Sequence, residues 1–277
     1  MSDTAARYIE AQSPPPETVR KWNVARFAGW GFCTVWILLV CGLLWSLYNS
    51  FDPEILTRYL PKLFEGLVVT TQLVVFAIVF GGLLAIPLAL ARMSSNSILN
   101  GLSFCYVYFF RGTPLLGQMF LIYYGAGAMV EHLEAAGVWW FFREAYNCVL
   151  LTFTLNTAAY QAEIYKTAIE SIPRGQREAA ETLGLKPGIT FWKIIFPQAM
   201  ITALRPLGNE IILMVKGSAV ASVVTVFDLM GATKLAFSRT YDFNVYLWAA
   251  IIYLSIVETL RRGWVRIETR LTRHLVR

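Results

Sequence analysis

Apolar runs of about twenty residues bound what this chain can fold into, because a helix of that length matches a hydrocarbon slab of about 30 Å. The first, residues 28–50, holds no Asp, Glu, Lys or Arg. Further apolar runs cover 66–91, 102–130 with an interruption, 148–168, 206–232 and 241–260, six in all, the last four with one to three charged residues each. Runs this long read as helices, so the expected fold class is an all-α polytopic membrane protein. A composition of 56% hydrophobic and 15% charged residues agrees, being more apolar than an ordinary soluble domain. The run 28–50 is too long for a signal peptide, and the polar stretch before it contains Pro14, Pro15 and Pro16, so the segment is expected to be retained.

A net charge of +6 could indicate nucleic acid or anionic lipid as a partner, but its distribution follows membrane topology instead. With the N-terminus inside, most of the 24 Lys and Arg residues fall on the cytoplasmic side, and Arg58, Lys62, Arg143, Lys234 and Arg239 face the other way. Both termini are therefore expected in the cytoplasm. Residues 1–27 read as a polar cytoplasmic tail and 263–277 as a basic one. Cys33, Cys41, Cys105 and Cys148 lie in apolar segments without C-x-x-C spacing, so all four are expected to be buried thiols. His132 and His274, the only histidines, are read as solvated side chains of a loop and a tail. Trp139, Trp140, Phe141 and Phe142 suggest an interfacial aromatic belt.

The cytoplasmic segment 170–204 alternates Gly and Pro punctuation with helical stretches and reads as two short helices and a turn. It holds Glu178-Ala179-Ala180, then Gly184, Ile194 and Pro197. The small alanines permit close approach of another backbone, and the glycine can end the helix in a left-handed turn. This spacing resembles the EAA signature of the permease subunits of bacterial ATP-binding-cassette (ABC) importers, with Phe196 where Leu is customary. The runs Phe110-Arg111-Gly112-Thr113-Pro114-Leu115 with Gln118, Asn156-Thr157-Ala158-Ala159-Tyr160-Gln161-Ala162-Glu163, and Leu207-Gly208-Asn209-Glu210 resemble the polar-amino-acid branch. Residues 142–157 are most similar to histidine, arginine, ornithine and opine permeases of the M type. Lys216 followed by Gly217-Ser218 departs from the branch, as does the first run.

The resemblance implies a five-helix type I importer core over 66–262, preceded by one extra transmembrane helix at 28–50. It further implies a bacterial inner-membrane location, a homologous second permease, two ABC ATPase subunits and a periplasmic amino-acid-binding protein. The chain would need no cofactor of its own, ATP and Mg belonging to the ATPases. It has no G-x-x-x-x-G-K-[ST] phosphate loop. Glu178, Ala179, Ala180, Gly184, Ile194 and Pro197 would form the element that couples ATP hydrolysis to transport.

Thr152, Asn156, Tyr160 and Glu163 recur at helical spacing, which puts one polar face on the fourth expected span. A carboxylate near membrane depth is expensive unless it meets water or a cation, so Glu163 is a functional candidate, with hydration near the cytoplasmic boundary as the alternative. The resemblance implies that Glu163 receives the substrate's cationic group. The planar fork of Arg111 suits a carboxylate, although a salt bridge within the bundle explains it equally well. Thr113, Gln118, Asn156 and Tyr160 complete the expected substrate contacts. A passive channel would also line a pore with polar helix faces, and a membrane enzyme could use Glu163 as an acid or base. The channel has no use for an ATPase-docking helix, and the enzyme lacks a nucleophile or a second carboxylate within reach.

Overall fold

The computed structural model describes residues 24–49 and 51–273. Most of the expected N-terminal tail, with its basic residues Arg7, Arg20 and Lys21, and His274 lie outside the described residues. The chain divides into two compact units, residues 1–51 and 52–277. The described part of the first is one helix, α1 (Val24–Asn49), apolar on every side, with Trp30, Leu38 and Trp45 all exposed. A helix hydrophobic all round is what a membrane span requires.

The second unit is helical throughout its regular structure. Its opening helix α2 (Pro53–Arg92) runs for 40 residues, roughly 60 Å, and starts where Asp52 accepts hydrogen bonds from the backbone N–H groups of Glu54 and Ile55. There follow α3 (Ser97–Gly112), α4 (Leu115–Ala128), the short α5 (Val130–Ala135) and α6 (Trp139–Phe142), and the central α7 (Ala145–Glu170). Next come the exposed α8 (Arg174–Thr182), α9 (Pro187–Thr190), α10 (Phe196–Gly217), α11 (Leu229–Thr240) and α12 (Asn244–Thr272). His132 belongs to α5 rather than to a loop.

Close approach of α2 and α7 builds the core. Ala77, Gly81, Ala85 and Ala89 recur every four residues along α2 and are buried. At Gly81 an added Cβ would run into the Thr157 side chain and lie 3.1 Å from the Thr154 carbonyl oxygen. Small residues at such spacing let two helices touch backbone to backbone, the favoured packing where no water drives association. Leu73, Val74, Val149, Phe153, Met214 and Val215 extend this seam to α10. A second cluster of Tyr59, Leu63, Leu229, Ala236 and Val245 joins the start of α2 to α11 and α12.

Three helical stretches among the described residues are long and apolar enough to cross a membrane: Phe27–Asn49, Pro53–Arg92 and Pro187–Val224. The last differs from expectation, which separated a cytoplasmic helix from a span beginning at Pro206. The helix instead passes through Pro206, and its irregularity is a π-helical turn at Phe191–Ile195. Pro197 explains it, since a proline cannot donate to the carbonyl four residues back and crowds it, and the wider turn relieves the crowding. The expected run 206–232 ends early: a 3-10 turn, Ser218–Val224, leads through left-handed Thr225 (φ 63°) to Asp228, which caps α11. The interruption of 102–130 appears as the break between α3 and α4 at Thr113 and Pro114. Of the thiols only Cys148 is buried; Cys33, Cys41 and Cys105 are exposed on apolar helix surfaces, contrary to expectation. An apolar residue in a membrane helix can face lipid as readily as the bundle.

Candidate functional site

Glu163 sits where three elements meet. Its carboxylate accepts a hydrogen bond from Arg92 Nη2 at 3.4 Å, and lies 4.0 Å from Arg111 Nη1 and 3.9 Å from Lys166 Nζ. Arg92 ends α2, Arg111 stands in the last turn of α3, and Lys166 is one turn along α7. Lys166 also reaches Glu170 at 3.7 Å. Glu163 therefore stands level with the end of α2. Its side chain is 25% exposed, against 12% for Arg92 and 43% for Arg111. The Arg111 guanidinium lies 5.3 Å from the Tyr160 ring centroid, while Arg92 lies 5.0 Å from that of Phe104 and its buried Nε has no hydrogen-bond partner. Arg92, Phe104, Tyr108, Arg111 and Glu163 line an open cleft of about 360 Å³. With more cations than carboxylates around it, this cleft favours an anionic group at its arginine side and keeps its one acid already paired.

The other expected contacts separate from that cluster. Asn156 and Gln118 are buried, and Asn156 Nδ2 donates to Gln118 Oε1 at 2.9 Å and to the Phe110 carbonyl at 3.1 Å. Gln118 Nε2 in turn donates to the Phe110 and Thr113 carbonyls and to Thr113 Oγ1, at 2.9, 3.0 and 2.8 Å. The Asn156 and Gln118 side chains thus satisfy the Phe110 and Thr113 carbonyl groups that the α3–α4 break leaves without helical partners. They fix the break whose last turn carries Arg111. Thr152, also buried, hydrogen-bonds back to the Cys148 carbonyl.

On α8, Glu178 and Ala179 are exposed and Ala180 is buried. Gly184 adopts φ +69°, and the N–H groups of Leu185 and Gly184 donate to the carbonyls of Ala180 and Glu181, the double bond of a Schellman cap. That left-handed turn is the reason for the glycine, and it leaves Leu183 76% exposed beside it. Ile194 packs under α8's neighbours with Ala168, Ile169 and Ile195, while Pro197 is exposed near the start of α10.

Residues 71–273 match the family described as binding-protein-dependent transport system inner membrane component. The chain belongs to this family. The nopaline transport system permease protein NocM of Agrobacterium fabrum is 38% identical over 225 residues, covering 81% of this chain and 93% of that protein. The histidine/lysine/arginine/ornithine transport system permease protein HisM of Salmonella typhimurium is 38% identical, covering 76% and 91%. Among solved structures, an amino acid ABC transporter crystallised with histidines superposes with a TM-score of 0.71 at 33% identity, covering 79% of this chain and 99% of that one. The MetNI methionine transporter shares the fold at TM-score 0.63 and 18% identity. This transport family, not an enzyme family, thus accounts for the all-α membrane fold.

Within this permease the sequence reading missed Arg92 and Lys166 as partners of Glu163. Lys166 could have been found from its three-residue spacing on one helix face. Arg92 is 71 residues away and meets Glu163 only through the α2–α7 packing, so no local spacing points to it. Two buried acids were also missed as structural: Glu210 accepts from Thr157 Oγ1 at 2.8 Å, and Asp228 from the Gly231 N–H at 2.8 Å.

Proposed function

We propose that this permease imports polar or basic amino acids, or opines derived from them, in a complex with a homologous second permease, two ABC ATPases and a periplasmic binding protein. The observation that carries the coupling half of this reading is α8, a nine-residue exposed helix closed by a left-handed glycine. Such a knob suits a groove on a partner, with Glu178, Ala179 and Ala180 along it, Gly184 at its end, and Ile194 and Pro197 linking it to α10. ATP and Mg are assigned to the ATPase partners. The substrate half rests on the permeases for nopaline and for histidine, lysine, arginine and ornithine that the chain resembles. Glu163, Arg111 and Tyr160 line the pathway in this reading, and Thr113, Gln118 and Asn156 hold the break that positions Arg111. Basic residues at the ends of α2 and α12 set these ends, and both termini, in the cytoplasm.

The test is co-purification of the permease with its partners, reconstitution in liposomes, and measurement of ATPase activity and uptake with the binding protein and candidate substrates. Stimulation by one basic amino acid or opine is expected. Uptake that proceeds without ATP would instead identify a passive channel.

A further inference from the structure

We propose that the groove between α10 and α12 is a binding site for an anionic phospholipid, its phosphate held by Arg205, Arg261 and Arg273 and one acyl chain laid past Trp264 into the adjoining apolar cavity. Two cavities share Trp264 as a wall. The first, about 730 Å³, is lined by Arg205, Asn209, Arg261, Thr269 and Arg273. The second, about 380 Å³, is lined mainly by Ile78, Leu83, Ile86, Leu207 and Ile211.

The arginines of the first cavity exceed the acids that could neutralise them. Glu268 is engaged by Arg205, at 2.6 and 3.0 Å, and Glu258 binds Arg261 and Arg262. Of the three arginines that line the cavity, Arg273 has no acidic partner among the described residues, and only Glu268 among the lining residues is an acid. A phosphate oxygen is the ligand such guanidinium groups are shaped to hold. The wall between the cavities is fixed, since the Trp264 indole N–H donates to the Leu204 carbonyl at 2.7 Å and the ring rests on Gly208, where an added Cβ would collide with it. Trp is the side chain suited to the boundary between headgroups and chains.

The second cavity indicates an amphiphile rather than a free ion. Ile211 lies six residues beyond Arg205 on α10, roughly 9 Å further along the axis. A headgroup at Arg205 therefore delivers a chain to that depth. Glu210, the one acid at the second cavity, is turned to Thr157, and the cavity's other polar side chains are engaged as well, Gln161 donating to the Ile78 carbonyl and Tyr165 to Gln161 Oε1, so the rest of the wall is apolar. Basic pockets between spanning helices are a recurring form of lipid headgroup site.

Native mass spectrometry of the full-length permease, released from membranes with its partner subunits, tests this with phosphatidylglycerol and phosphatidylcholine of identical chains. Wild type should retain phosphatidylglycerol in preference by about tenfold, given the attraction each basic residue contributes. Arg261→Gln with Arg273→Gln should bring the ratio near one, the corresponding Lys pair should keep a preference, and Ile211→Gln should weaken retention of the lipid. Glycerol 3-phosphate or inorganic phosphate at millimolar concentration should not displace it. Equal retention of the two lipids by wild type overturns the proposal even if the Gln pair fails to assemble. Displacement by inorganic phosphate, with no effect of Ile211→Gln, overturns it in favour of a free phosphate site.

Discussion

Replacing Glu163 with Gln removes one charge from a cluster of four while keeping its shape, and the geometry sets how much that should matter. At 4 Å a pair of unit charges interacts by about 4 kcal/mol at the effective dielectric of a protein surface, before desolvation is counted. Fully exposed pairs retain at most about 1 kcal/mol, whereas breaking a buried pair costs about 3–5 kcal/mol. The pair with Arg92 stands between these limits, at 3.4 Å with side chains 25% and 12% exposed. Its Nε already lacks a partner, so losing the carboxylate leaves the guanidinium poorly solvated. A coupling of about 1–2 kcal/mol between the two positions follows, roughly five- to thirtyfold in an equilibrium. Unfolding of wild type, Glu163→Gln, Arg92→Gln and the double variant in detergent measures it as a cycle. If Glu163 also handles the substrate, Glu163→Gln should raise the KM for basic amino acids more than for neutral ones of similar size. A cycle that closes within about 0.3 kcal/mol refutes the pairing. Unchanged transport of every basic amino acid refutes the role in the pathway.

Gly184→Pro or Glu178→Arg should leave the protein inserted and its ATPase partners active but sharply reduce uptake per ATP hydrolysed; normal uptake in both, at equal membrane levels, would remove α8 from coupling. Gly81→Leu should destabilise the α2–α7 seam by about 3 kcal/mol or prevent accumulation, because the new side chain meets Thr157 and the backbone of Thr154 and Ala158; a normal melting temperature would show that the seam relaxes. A single cysteine at Thr18 in a cysteine-free background should resist impermeant thiol reagents added to intact cells, and rapid labelling would place the N-terminus outside.

What was legible from sequence depended on how far apart the cooperating residues lie. The end of α8 was readable because its determinants fall within six residues, where Gly184 alone supplies the left-handed turn and the carbonyls it caps are its own neighbours. The α3–α4 break was readable from Pro114 for the same reason. The partner of Glu163 was not, and neither was the task of Asn156 and Gln118, since polar residues on an apolar helix look alike whether they meet substrate or mend a broken backbone. The deciding fact is the proximity of α2, α3 and α7, and the signal for that was present in another form. Ala77, Gly81, Ala85 and Ala89 form a stripe of small residues at four-residue intervals. Followed upward, the stripe reaches Arg92 three residues beyond Ala89, and the Ala158, Ala159 and Ala162 surface of α7 reaches Glu163 one residue beyond Ala162. Two helices that touch through small side chains must bring together the first long charged residues past the seam, so the same packing that closes the bundle selects Arg92 as the cation Glu163 meets.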